Sequence, residues 1–238
     1  LPDGPQTWLG AWLLNNTAED AFRTPATYYG ERGIDTVFDG VNSVAVGVPN
    51  YVVDPDVQDR EHQLRREMGK LFERDPEAAT GHTSTDPEAF YEQCLEMAMV
   101  RTARVRRALR GGRYELVFGY TSGLDLIGHV AHDRPALQER AYAELDDFVG
   151  ELRADLGPDD DLLLVSDHGL QDGLHTETAM VSATDPALVE EIESVLDVRA
   201  AIESALTRGA HEPVGRSAPS SRGSSSEVRE HLEGLGYM

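Results

Sequence analysis

The 238 residues suffice for one domain with a full hydrophobic core and a small appendage, and at 40% hydrophobic and 27% charged residues the chain is too apolar to be disordered throughout. Asp and Glu number 43 against 21 Lys and Arg, a net charge of −22, and Lys70 is the sole lysine. Nucleic acid and anionic membrane surfaces are therefore excluded as partners, because both recruit proteins through clustered cations.

Residues 1–34 read as irregular with short helical stretches, one of them after Thr24-Pro25, where threonine can cap and proline can open a helix. Residues 36–38 and 43–48 are short β-branched runs divided by Asp39-Gly40, and Pro49-Asn50 stops the second. A polar helix is expected over residues 57–74, before Asp75-Pro76. Asp86-Pro87-Glu88 then supplies the cap, first position and acidic first turn of a longer helix. Its apolar face carries Phe90, Cys94, Met97, Val105 and Leu109, the arginines between 101 and 110 suit its C-terminal dipole, and Gly111-Gly112 ends it.

Residues 114–120 form an expected strand and residues 161–165 a second, nearly all apolar. Between them, a helix over residues 135–156 has Leu137, Ala141, Leu145, Phe148, Val149, Leu152 and Leu156 on one stripe. Strand, amphipathic helix and apolar strand predict a βαβ unit with parallel strands and a right-handed crossover. The expected fold class is thus α/β, a mostly parallel sheet with helices on both faces. After Ser182, one or two helices fall between Pro186 and Arg208. Residues 209–226, rich in Ser, Gly and Pro, read as a flexible linker, and residues 227–238 as a helical tail. The α/β domain would then occupy residues 1–208.

The compartment follows from charge and cysteine usage. Self-repulsion from the acidic excess costs stability, and molar salt relieves it by cutting the Debye length to roughly 3 Å, so the composition points to a salt-rich interior. A single cysteine, Cys94, rules out an internal disulfide and fits a reducing, cytoplasmic location. It sits among apolar helix positions and reads as buried filler rather than a nucleophile. No run approaches the ~18 apolar residues of a membrane helix, and the N-terminus lacks a signal peptide's basic-then-apolar order.

Chemistry concentrates at two strand ends. The first strand is followed by Thr121-Ser122-Gly123-Leu124-Asp125-Leu126-Ile127-Gly128-His129, the second by Ser166-Asp167-His168-Gly169 and then by Asp172-Gly173-Leu174-His175-Thr176. Carboxylates and imidazoles meet there at the carboxyl edge of the expected sheet, where open α/β sheets bind ligands. Both groups are suitable ligands for zinc or manganese. Gly128 would let backbone approach the site, and a turn at Gly169 is needed to aim both Asp167 and His168 at a metal. Taken singly, Asp125 could be a helix cap, His129 a surface or core histidine, Asp167 a turn cap and His175 a loop residue. Their coincidence at two strand ends favours a metal site. His132 and Asp133 read as turn residues, and His62, His82, His211 and His231 as solvent-exposed. Neither Ser122 nor Ser166 lies in Gly-x-Ser-x-Gly, and dinucleotide and P-loop signatures are missing.

The pair Asp125-x-x-Gly128-His129 and Ser166-Asp167-His168-Gly169, followed by His175-Thr176, resembles the alkaline phosphatase superfamily, in particular its type I phosphodiesterase/nucleotide pyrophosphatase branch. Sulfatases and metal-dependent phosphoglycerate mutases are more distant relatives and alternative activities. The closing Leu232-Glu233-Gly234-Leu235-Gly236-Tyr237-Met238 looks like the Leu-Gly-Tyr ending of sulfatase-like members. The resemblance implies two divalent ions, zinc or manganese: one held by Asp125, His129 and His175, the other partly by Asp167 and His168. It further implies a small phosphate-ester substrate and in-line displacement at phosphorus by a Ser or Thr nucleophile. Family members open with a strand delivering a metal-binding Asp and then the nucleophile. Asp3-Gly4, Thr24 and Thr27 do not fit those roles, so the second metal site is expected to be incomplete. The chain is then either a portion lacking its N-terminal segment or a shortened, inactive descendant that still binds metal.

Overall fold

The computed structural model describes residues 33–47, 60–78, 80–190 and 192–209. The expectations for residues 1–32, for Pro49-Asn50 and for residues 210–238, hence for nearly all of the linker and for the tail, lie outside the described residues.

The central element is the helix α2 (Pro87–Gly111), which β1 (Ser43–Val46), α1 (Arg60–Leu71), β2 (Phe72–Arg74) and β3 (His82–Ser84) precede in the chain. Local chemistry sets both its ends. Asp86 Oδ1 accepts the Ala89 N–H at 3.1 Å, with Pro87 just inside the start. At the other end Gly112 takes a left-handed φ of 57° and donates to the Leu109 carbonyl at 3.0 Å. One face of α2 buries Phe90, Tyr91, Cys94 and Met97 against Leu64 and Met68 of α1, Ile127 and Val130 of α3 (Gly123–Val130), and Leu137 and Ala141 of α4 (Pro135–Ala154). At about 1.5–3 kcal/mol for each large apolar side chain fully removed from water, this helical core is the main source of stability.

Among the described residues the strands form four two-stranded sheets. β1 runs parallel to β4 (Leu116–Gly119), in register from Ser43↔Leu116 to Val46↔Gly119. β2 and β3 form an antiparallel pair, as do β5 (Leu163–Val165) with β8 (Val181–Ala183), and β6 (Gly169–Gln171) with β7 (Leu174–Thr176). A 3₁₀ turn at Pro186–Leu188 and α5 (Val198–Gly209) complete the described chain.

The expected α/β architecture, a mostly parallel sheet covered by helices on both faces, is overturned. Helix outweighs strand, and among the described residues only β1 and β4 pair in parallel. The strands on either side of α4 do not become neighbours: β4 pairs back to β1, and β5 pairs with β8. The apolar run at residues 161–165 suggested a strand buried on both faces, yet Val165 is 40% exposed. An antiparallel partner reached after one intervening hairpin satisfies β5 without a crossover.

Two smaller expectations also change. Residues 36–38 form a turn rather than a strand, because Asp39 Oδ2 accepts both the Thr36 N–H at 2.6 Å and the Thr36 hydroxyl at 2.8 Å. The polar helix stops at Leu71, three residues early, because Phe72 leaves it to stack on Phe90 and His82, with ring centroids 5.7 and 4.9 Å apart. Among the described residues no helix is long and apolar enough to cross a membrane.

Candidate metal centre

The chain leaves β4 and turns through Tyr120-Thr121 into α3. Thr121 Oγ1 accepts the Gly123 N–H at 3.1 Å and so helps to start the helix. On α3, Asp125 and His129 stand one turn apart on the same face, with His129 Nε2 3.2 Å from Asp125 Oδ1. A second element comes down onto that face. Asp172 and Gly173 both adopt left-handed backbone, φ 52° and 76°, the two-residue turn that a tight β6–β7 hairpin requires. This hairpin places His175 opposite Leu170 and brings its Nε2 to 3.1 Å from Asp125 Oδ1 and 2.9 Å from His129 Nε2. Gly128 admits the hairpin: a Cβ there would run into the Leu170 side chain. The expected close approach at Gly128 is thus one of helix against hairpin.

The end of β5 supplies the third element. Ser166 exchanges two bonds with Met180, its N–H donating to the carbonyl at 2.9 Å and its Oγ accepting the N–H at 2.8 Å. The bend that follows turns His168 inward and Asp167 outward. His168 Nε2 lies 3.8 Å from Asp125 Oδ1, and its ring stacks on His175 with centroids 3.7 Å apart. Asp167 is within 3.6 Å of His168 Nε2, but its side chain is 76% exposed.

Donor chemistry fits a divalent cation of the zinc or manganese type. His129 Nδ1 donates to the Gly173 carbonyl at 2.6 Å, and His168 Nδ1 to the Gly169 carbonyl at 3.0 Å. In a neutral imidazole that leaves Nε2 as the lone-pair nitrogen, the arrangement by which backbone carbonyls orient metal-binding histidines. Ligand atoms of Asp125, His168 and His175 all lie within 4.8 Å of one another, with His129 in hydrogen-bond range of two of them. These distances form one cluster, and among the described residues no separate second one is found. His168 joins the group expected around Asp125, while Asp167 stays at its rim.

Two features went unread in the sequence. His82, expected to be exposed, is half-buried: it stacks on Phe72, and its ring centroid is 5.5 Å from that of His129. Burial pushes its imidazole below the usual histidine range, against a smaller upward pull from its hydrogen bond to the Thr80 carbonyl. The hairpin that carries His175 was also missed, although Asp172-Gly173 is a strong turn signal. His132 and Asp133 occupy the turn between α3 and α4, as expected. Burial, followed by the carboxylates of Asp167 and Asp125, pushes the Tyr120 phenol upward at the edge of the site.

No curated protein and no solved structure gives a significant match to the chain. The family model described as type I phosphodiesterase / nucleotide pyrophosphatase matches residues 4–233. The matched stretch contains every residue of the cluster and nearly the whole sequence, and it agrees with the resemblance carried by the two strand-end motifs. The chain therefore belongs to the type I phosphodiesterase/nucleotide pyrophosphatase family, within the broader alkaline-phosphatase-like superfamily.

Proposed function

We propose that this chain is a metal-dependent phosphoesterase in which Asp125, His129 and His175 hold one divalent ion, and His168, with Asp167 beside it, contributes to a second. The observation that carries this reading is the convergence of His129 and His175 on one carboxylate, each within 3.2 Å of Asp125 Oδ1. When bound, such ions polarise a phosphate ester and stabilise the attacking and leaving oxygens of an in-line displacement. The chain's own residues hold the ligand set ready. The Gly173 carbonyl fixes the His129 ring, the Gly169 carbonyl fixes that of His168, and stacking aligns His168 with His175. The substrate class is a small phosphate ester, in keeping with a family of phosphodiesterases and pyrophosphatases. Thr121 and Ser166 are engaged with backbone amides, and Thr24 and Thr27 lie outside the described residues, so no nucleophile is assigned.

The single cluster, with Asp167 turned to solvent, favours a second reading: a metal-binding member of the family without turnover. Calorimetric titration with Zn²⁺ or Mn²⁺, on wild type and His129→Ala, tests both. Equal binding by the two proteins overturns the metal site. A chromogenic phosphodiester assayed in molar KCl then separates the readings: metal-dependent turnover lost in His129→Ala supports the enzyme, and tight binding without turnover supports the second reading.

A further inference from the structure

We infer that Thr80 is a positioning residue for the metal centre, fixing α3 and the β6–β7 hairpin relative to each other. The inference rests on the metal reading proposed above. Thr80 lies in the connection between β2 and β3, forty-nine residues before His129, yet it is only 7% exposed. Its hydroxyl reaches the His129 carbonyl at 3.1 Å and the His82 carbonyl at 2.9 Å, and accepts the His82 N–H at 3.3 Å. The His129 carbonyl belongs to the last turn of α3, where carbonyls lack intrahelical partners. The one hydroxyl proton of Thr80 is shared between the His82 and His129 carbonyls, so Thr80 lies within hydrogen-bond distance of the helix end at His129 itself.

The methyl of the same side chain faces the hairpin. A Cβ on Gly173 would collide with Thr80 Cγ2, so the Gly173 backbone rests directly against Thr80. Gly173 is the residue whose carbonyl accepts the His129 Nδ1 proton at 2.6 Å. Both ends of His129, its main-chain carbonyl and its ring, are thus referenced to Thr80, one through the hydroxyl and one through the methyl. Thr80 touches no ligand atom of the cluster. It acts through His129, by setting how far α3 stands from the turn that leads to His175.

Zn²⁺ titration of the full chain, read by calorimetry beside melting of the metal-free protein, tests the role. Partners that orient a metal-binding histidine are worth about 10–100-fold in affinity. Thr80→Val, which keeps the shape and removes the hydroxyl, is expected to weaken Zn²⁺ binding about tenfold or more, whereas Thr80→Ser, which keeps the hydroxyl, stays within about threefold of wild type. Should Thr80→Val not fold, Thr80→Ala against Thr80→Ser isolates the hydroxyl, since both lack the methyl. A merely structural threonine would lower melting without this hydroxyl-dependent loss of affinity. If His129→Ala weakens binding while Thr80→Val and Thr80→Ala bind like Thr80→Ser, the role of Thr80 is overturned and the metal site stands. If wild type and His129→Ala bind alike, the metal reading fails and the role of Thr80 with it.

Discussion

His129 donates its Nδ1 proton to the carbonyl of Gly173 across 2.6 Å, tying a histidine of α3 to the turn of a hairpin forty-four residues further along the chain. That bond aims Nε2 of His129 at Asp125 and His175, and it exists only because the hairpin turn can approach α3 closely.

Gly173→Ala should break this relationship. The left-handed backbone costs an alanine about 1–2 kcal/mol. The new Cβ would also lie 2.8 Å from His132 Cβ and overlap Thr80. The expected outcome is a clearly lower melting temperature together with weaker Zn²⁺ binding. Asp172→Gly, at φ 52°, relieves the same kind of backbone strain and should leave both within error. Melting and calorimetry on the pair check the assignment, and a Gly173→Ala protein indistinguishable from wild type would refute it.

What the sequence made legible was whatever local chemistry determines. Asp86 and Pro87 start α2, Gly112 ends it, and Asp125 with His129 share a helical face because four residues make one turn. Sheet pairing was not legible. Residues 161–165 have the composition of a buried parallel strand, but the partner of a strand is chosen by tertiary packing, and here β8 returns antiparallel. His82 escaped for a related reason: the residues that bury it, Phe72 in sequence proximity and His129 across the fold, assemble only when the β2–β3 hairpin meets α3. The adjacent pair Asp167-His168 was expected to turn inward together, and the bend after β5 admits only the histidine.

Cys94 should be inert in the folded protein. Burial pushes its thiol up to about 12 from an ordinary 9.0, and its Sγ packs 3.6 Å from Met68 Sδ. At pH 8 a thiol-exchange reagent is expected to react only after urea is added. The sign of the linkage is also fixed: above pH 9.0 the unfolded chain releases a proton that the folded chain keeps until about 12, so stability falls as pH rises through that window. Cys94→Ala, although less stable overall, should show a shallower alkaline decline in urea unfolding. A parallel decline would place the effect elsewhere.

Glu61 and Arg101 form a buried ion pair beneath the strand end that leads to Asp125. Arg101 Nη2 lies 3.4 Å from Glu61 Oε2, with side chains 6% and 10% exposed, and Arg101 Nη1 donates to the Tyr120 carbonyl at 2.9 Å. Removing one member of a buried pair typically costs about 3–5 kcal/mol; in Arg101→Ala the Tyr120 carbonyl loses its donor and Glu61 keeps only the partly exposed Arg104. Arg104 contacts the same carboxylate from a side chain 37% exposed, where an ion pair is worth about 1 kcal/mol or less. Arg101→Ala should therefore destabilise much more than Arg104→Ala in urea titrations. Equal losses would show that Glu61 relies on both arginines alike.

Salt should stabilise the whole protein. With 43 acidic against 21 basic residues, like charges outnumber the ion pairs available to offset them, and their repulsion raises the free energy of the compact state more than that of the expanded chain. Raising KCl from about 0.1 M to 1 M shortens the Debye length from ~10 to ~3 Å, which removes most of the repulsion between exposed carboxylates. Exposed pairs such as Arg60–Glu96, at 2.6 Å, lose some attraction in the same solution, but solvent-exposed pairs contribute little to stability. The net expectation is a melting temperature that climbs steadily with KCl and a Zn²⁺ site best measured at high salt. A melting temperature that is flat or falls between low and molar KCl would remove the argument for a salt-rich environment.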